Sequence, residues 1–109
     1  MNLKIDVLGT EYDLLVKNEA EDKRLEGYDG YCDTSIRVCV VDAMNISEID
    51  AKADLPSYQK KVKRHELIHA FLYESGLDTN SWAGNEEMVD WIAIQFEKLQ
   101  RAFEAADAL

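Results

Sequence analysis

The sequence predicts a small α+β domain: an antiparallel β-sheet packed with two long helices. Two observations carry this. Apolar and polar residues alternate over 2–17, the period of a strand with one buried face, and a second strand is expected over 31–42. Apolar residues then recur at three- and four-residue intervals over 57–75 and 85–105, the period of an amphipathic helix. At 109 residues, 47% of them hydrophobic, the chain has room for one core and reads as a single domain over 1–109.

Each element has its own signal. In residues 2–17, Leu3, Ile5 and Val7 alternate with Asn2, Lys4 and Asp6, and Tyr12, Leu14 and Val16 continue the pattern. Gly9-Thr10 between them suits a two-residue hairpin turn, because glycine tolerates positive φ at its first position. Residues 18–30 are polar and acidic and read as a loop or a short helical turn. A strand over 31–42 places Ile36, Val38 and Val40 on one face, with Arg37, Cys39 and Val41 on the other. Residues 43–56 form an acidic connection ending at Pro56. The first helix is expected from Ser57, its N-cap, to Ser75, with Gly76 as the residue that ends it. Tyr58, Val62, Ile68 and Leu72 lie near one face. After a loop over 77–84, the second helix runs from Asn85 to Ala105. Its stripe of Met88, Ile92, Phe96, Leu99 and Phe103, together with Trp91, is expected in the core. Trp82 either covers the core or packs over a site, and the C-terminal AFEAADAL is expected to fray.

Composition excludes several classes. The formal net charge is -10, from 22 acidic and 12 basic residues, which opposes nonspecific binding to nucleic acid or to an anionic membrane. MNLKIDVLGT lacks the apolar segment of a signal peptide, and no apolar stretch approaches the roughly 20 residues that span a bilayer. A cytoplasmic protein is expected. Its two cysteines, Cys32 and Cys39, then read as free thiols. On one continuous strand their odd separation puts them on opposite faces, so no bond between them is expected. The basic run Lys60, Lys61, Lys63 and Arg64 reads as a solvated helix face, offset by acidic residues of 43–55, or as a contact for an acidic partner.

Chemistry concentrates in His65-Glu66-Leu67-Ile68-His69, which holds both histidines of the chain. On a helix, residues i and i+4 lie about 40° apart around the axis and about 6 Å along it. Two imidazoles so placed can converge on one zinc ion, leaving Glu66 beside it to accept a proton from water as a general base. A third ligand must be a carboxylate or a cysteine, since no histidine remains. Glu86 is preferred: Asn85 caps its helix, and Asp90, four residues on, can accept a hydrogen bond from a ligand histidine and fix its tautomer. Glu87 is the alternative and has Trp91 at the supporting position; Cys32 is a weaker one. Manganese or iron would suit the same donors.

His65-Glu66-Leu67-Ile68-His69 followed by Asn85-Glu86 and Asp90 resembles the HExxH and NExxxD pattern of thermolysin-like gluzincins. RHELIHAFLYESGL with NEEMVDWIA is similar to small HExxH proteins of phages and prophages, and the element order resembles ImmA/IrrE-type metallopeptidase domains. The resemblance covers roughly residues 30–100. It implies a minimal zincin-like metallopeptidase with one zinc per chain on His65, His69 and Glu86, with Glu66 as general base. Such a protein would act on a peptide or protein substrate in the cytoplasm, the host's if phage-encoded. The chain departs from thermolysin in its shorter gap between helices and in lacking a further histidine to steady the tetrahedral intermediate. It also has Val89-Asp90 where ImmA/IrrE-type domains have alanine-asparagine.

A tyrosine is expected to supply the missing oxyanion donor: Tyr28, Tyr31 or Tyr73. The 31–42 strand is expected to be an exposed edge that holds an extended peptide. The competing reading is a catalytically silent zinc-containing protein-binding module. A DNA-associated protease of the SprT type is disfavoured by the acidic charge.

Overall fold

A computed structural model describes residues 2–44, 53–77 and 81–109. Among these residues, four strands and two long helices form an α+β domain: β1 (Asn2–Val7), β2 (Thr10–Lys17), β3 (Gly30–Asp33), β4 (Val38–Asp42), α1 (Leu55–Glu74) and α2 (Glu86–Ala105). The strand order is β1-β2-β4-β3. The sheet is mixed, and not antiparallel throughout as the sequence suggested. The β1–β2 and β3–β4 pairs are antiparallel, whereas β2 and β4 run parallel.

The first hairpin forms as expected, but its turn is shifted by one residue. Val7 pairs with Thr10, so Leu8 and Gly9 are the loop residues, both at positive φ (52° and 90°). That is the mirror-image turn whose twist matches the flanking strands, and it requires left-handed backbone at both positions. Leu8 adopts it because its side chain has no core contact to keep and is 61% exposed.

The expected 31–42 strand is two strands folded back on each other. Asp33 ends β3, and its carboxylate accepts a hydrogen bond from Ser35 N at 3.1 Å, the side-chain turn that aspartate favours. Ile36 and Arg37 lie in this turn, and Arg37 has φ of 56°. β4 lies between β2 and β3, and Cys39, Val40 and Val41 are all buried. An interior strand covered on both faces needs such a continuous apolar run. Only β3 is therefore an edge on this side. Cys32 and Cys39, expected on opposite faces, are cross-strand partners on the same face.

The core lies between this face and α1. Val7, Tyr12, Leu14, Cys39 and Val41 pack with Val62 and Ala70. Gly30 permits the close approach of α1 to β3: an added Cβ there would meet Val40 O at 2.8 Å and Glu66 Cγ at 3.3 Å. The residues of α1 turned inward are Val62, Glu66 and Ala70, so one position of the buried line is a carboxylic acid.

The cap of α1 is Asp54, three residues before the expected Ser57. Its carboxylate accepts from Ser57 N at 3.2 Å, and Pro56 fills the first turn, where its missing N–H costs nothing. The helix ends at Gly76 as expected: Gly76 N bonds Tyr73 O and Leu77 N bonds Leu72 O, with φ of 79° at the glycine. Residues 45–52 of the acidic connection and 78–80 of the second loop lie outside the described residues.

Asn85 caps α2 by accepting from Met88 N at 3.0 Å. The buried residues of α2 are Val89 and Ala93. Its aromatic residues are not core: Trp91, Phe96 and Phe103 are 55%, 47% and 46% exposed. Polar contacts tie α2 to α1. Arg64 donates from Nε to Ala93 O at 2.7 Å and pairs with Glu97, while Lys61 pairs with Asp90 at 2.9 Å. The basic run is thus offset in part by acids of α2. Among the described residues no helix is long and apolar enough to cross a membrane.

Candidate metal centre

One turn of α1 separates His65 from His69, and both side chains are partly buried facing the first turn of α2. Their Nε2 atoms stand 3.2 Å apart. Glu86 reaches both rings, with Oε1 2.6 Å from His69 Nε2 and Oε2 3.4 Å from His65 Nε2. Among the described residues these three form a group that could hold a metal ion, with donor atoms all within 4.8 Å of one another. Glu87, the alternative, lies outside that group.

Asp90 takes the place expected for it. Its Oδ1 lies 2.9 Å from His65 Nδ1 and 2.9 Å from Lys61 Nζ. Burial opposes ionisation of Asp90, but the hydrogen bonds from Lys61 and His65 outweigh it and hold the carboxyl below its usual range. An ionised Asp90 accepts the Nδ1 proton of His65 and leaves the Nε2 lone pair facing His69 and Glu86. Burial, against the pull of Glu86, lowers the pKa of His69, favouring a neutral ring. Two imidazole nitrogens and a carboxylate are a common donor set for catalytic zinc. Donors about 2.0–2.1 Å from a tetrahedral ion lie roughly 3.3 Å apart. The separations of 3.2 and 3.4 Å already have that spacing, and the 2.6 Å contact needs a small opening. The residues fit the ion.

Glu66 is 7% exposed, yet it lines the cavity in front of the histidines. Burial, with help from the charge on Glu86 and against that of His65, pushes its carboxyl up to about 7. The cavity is about 360 Å³ and is walled by β3 on one side and α1 on the other. All three candidate tyrosines reach it. Tyr31 is engaged elsewhere: its hydroxyl donates to Asp22, and the Arg24 guanidinium stacks 4.2 Å from its ring centroid. Burial and that hydrogen bond push its pKa up to about 12. Tyr28 and Tyr73 line the cavity and are exposed. A smaller cavity of about 190 Å³ lies on the other side of His65, between Tyr58, Lys61 and Asp90. Trp82 is exposed in a short 3-10 turn and lines neither cavity.

Cys32, half-buried, forms part of the larger cavity's wall; Cys39 beneath it is fully buried. Sequence reasoning missed this pairing. The available signal was the turn-forming Asp33-Thr34-Ser35 between the two cysteines. No family model, curated protein or solved structure matches the chain.

Proposed function

We propose that the protein is a zinc-dependent metallopeptidase acting on a specific protein or peptide. The observation that carries this reading is the convergence of His65, His69 and Glu86 beside the buried acid Glu66. Zinc bound there would supply Lewis acidity toward a carbonyl oxygen and toward water. Asp90 orients His65, and Lys61 keeps Asp90 ionised. The Glu66 carboxylate accepts a proton from the attacking water and returns it to the departing amine nitrogen. A carboxyl poised near neutrality suits both transfers. The hydroxyl of Tyr28 or Tyr73 donates to the oxygen on which charge develops.

The free edge of β3 supports a peptide substrate. It borders the cavity, and among the described residues no strand pairs with its outer side, where an extended chain could add. One observation favours the second reading, a zinc-containing binding module without catalysis. Trp91, Phe96 and Phe103 are exposed on α2, and none of them lines the cavity. Glu66→Gln separates the two readings in a degenerate peptide library analysed by mass spectrometry. A peptidase cleaves as wild type and loses cleavage on substitution while keeping its metal. Cleavage that survives Glu66→Gln would refute the assigned base.

A further inference from the structure

We infer that Cys32 and Cys39 form a reversible cross-strand disulfide in the wall of the cavity, made by exchange with a low-molecular-weight disulfide. Three observations lead there. The two residues are direct partners in the β3–β4 ladder, and their sulfurs are 3.6 Å apart. The register identifies the kind of pair. Asp42 N bonds Asp29 O at 2.8 Å, which makes Asp29 and Asp42 a hydrogen-bonded pair. Bonded and non-bonded pairs alternate along an antiparallel ladder, so three steps on, Cys32 and Cys39 are a non-bonded pair. Non-bonded pairs bring Cα atoms to about 4.5 Å, inside the range a disulfide bridges, with side chains leaning together. Closing the gap between the sulfurs to about 2.05 Å then needs side-chain rotation with little movement of the strands.

The two thiols also differ in the way a two-step exchange requires. Cys32 lines the open cavity and is reachable by a small solute. Cys39 is fully buried, its Sγ in contact with Cys32 Sγ and 3.5 Å from Glu66 O. The hydrogen bond it gives Cys32, and its burial, hold the Cys39 thiol protonated well above its usual range. Cys32 is therefore the entering nucleophile and Cys39 the resolving group. In the first step the Cys32 thiolate attacks one sulfur of glutathione disulfide, forming a mixed disulfide and expelling one glutathione thiolate. In the second, Cys39 attacks the Cys32 sulfur and breaks the mixed disulfide, and the proton it gives up ends on the departing glutathione, which leaves as the thiol. Two protein thiols are oxidised, and one glutathione disulfide is reduced to two thiols. The bond crosslinks the edge strand that borders the cavity to the interior strand of the sheet, and it consumes the one thiol in the cavity wall.

The test uses the full chain, with and without a chelator, so that its result does not depend on the metal reading. The protein is equilibrated in glutathione buffers of graded oxidation, quenched with an alkylating agent and analysed by intact mass and peptide mapping. The expected product is a monomer lighter by two hydrogen atoms, bonded Cys32 to Cys39, reversed by dithiothreitol and melting several degrees higher. Cys39→Ser should stop at a stable glutathione adduct on Cys32, and Cys32→Ser should resist modification while folded. Wild-type protein that stays reduced in the most oxidising buffer would overturn the inference. So would wild type that halts at the adduct or links chain to chain.

Discussion

At the scale of single residues, the costly feature is Glu66. Val62, Glu66 and Ala70 form the inward line of α1, and a hydrophobic residue at 66 would pack there without an ionisation penalty. An acid whose pKa rises on folding is stabilised in its protonated form. Folding stability is then unaffected below the unfolded value of 4.5, and it falls as pH rises through the folded value of about 7. Glutamine carries no such penalty. In chelator-treated protein, Glu66→Gln is therefore expected to raise stability by roughly 2–3 kcal/mol at pH 8, with the difference nearly gone at pH 4.5. Urea unfolding at the two pH values checks this, and equal midpoints at pH 8 would contradict it. Asp90 works the other way, as an exposed-side partner that orients His65. Asp90→Ala is expected to weaken zinc affinity by about 10–100-fold, measured by competition with a chromophoric chelator.

At the scale of elements, periodicity made both helices and the first hairpin legible, and spacing made the candidate site legible. His65, Glu66 and His69 are fixed by one helix, and Asn85 marks the start of the helix that carries Glu86 and Asp90. What failed was register. The 2–17 alternation fits a turn at Gly9-Thr10 nearly as well as one at Leu8-Gly9, and only pairing with β1 decides. The 31–42 segment reads as one strand because Cys32 to Val41 is mostly apolar; the Asp33 turn inside it is a local hydrogen-bonding event that periodicity does not register. Two predictions follow from the corrected elements. Leu8→Asn suits left-handed backbone and is expected to stabilise by roughly 0.5–1 kcal/mol in urea unfolding, with an unchanged slope. Gly30→Ala drives a methyl group against the carbonyl of Val40 and toward α1, and is expected to destabilise by about 1–3 kcal/mol in the same assay.

At the scale of the whole molecule, the sheet and α1 make a rigid wall, and α2 completes the candidate centre from outside. The α1–α2 seam is rich in charge. Lys61 with Asp90 and Arg64 with Glu97 hold α2 in the position that brings Glu86 to the histidines. The stripe expected in the core is in part exposed: among the described residues α2 packs chiefly on α1, which leaves Trp91, Phe96 and Phe103 at the surface. In the proposed centre one ion joins the two helices through His65, His69 and Glu86. Zinc content per chain, measured by elemental analysis of gel-filtered wild type, Glu86→Ala and Glu87→Ala, tests it directly. One zinc is expected in wild type and in Glu87→Ala, with loss in Glu86→Ala. Equal zinc in all three proteins, or none in zinc-replete wild type, would contradict it.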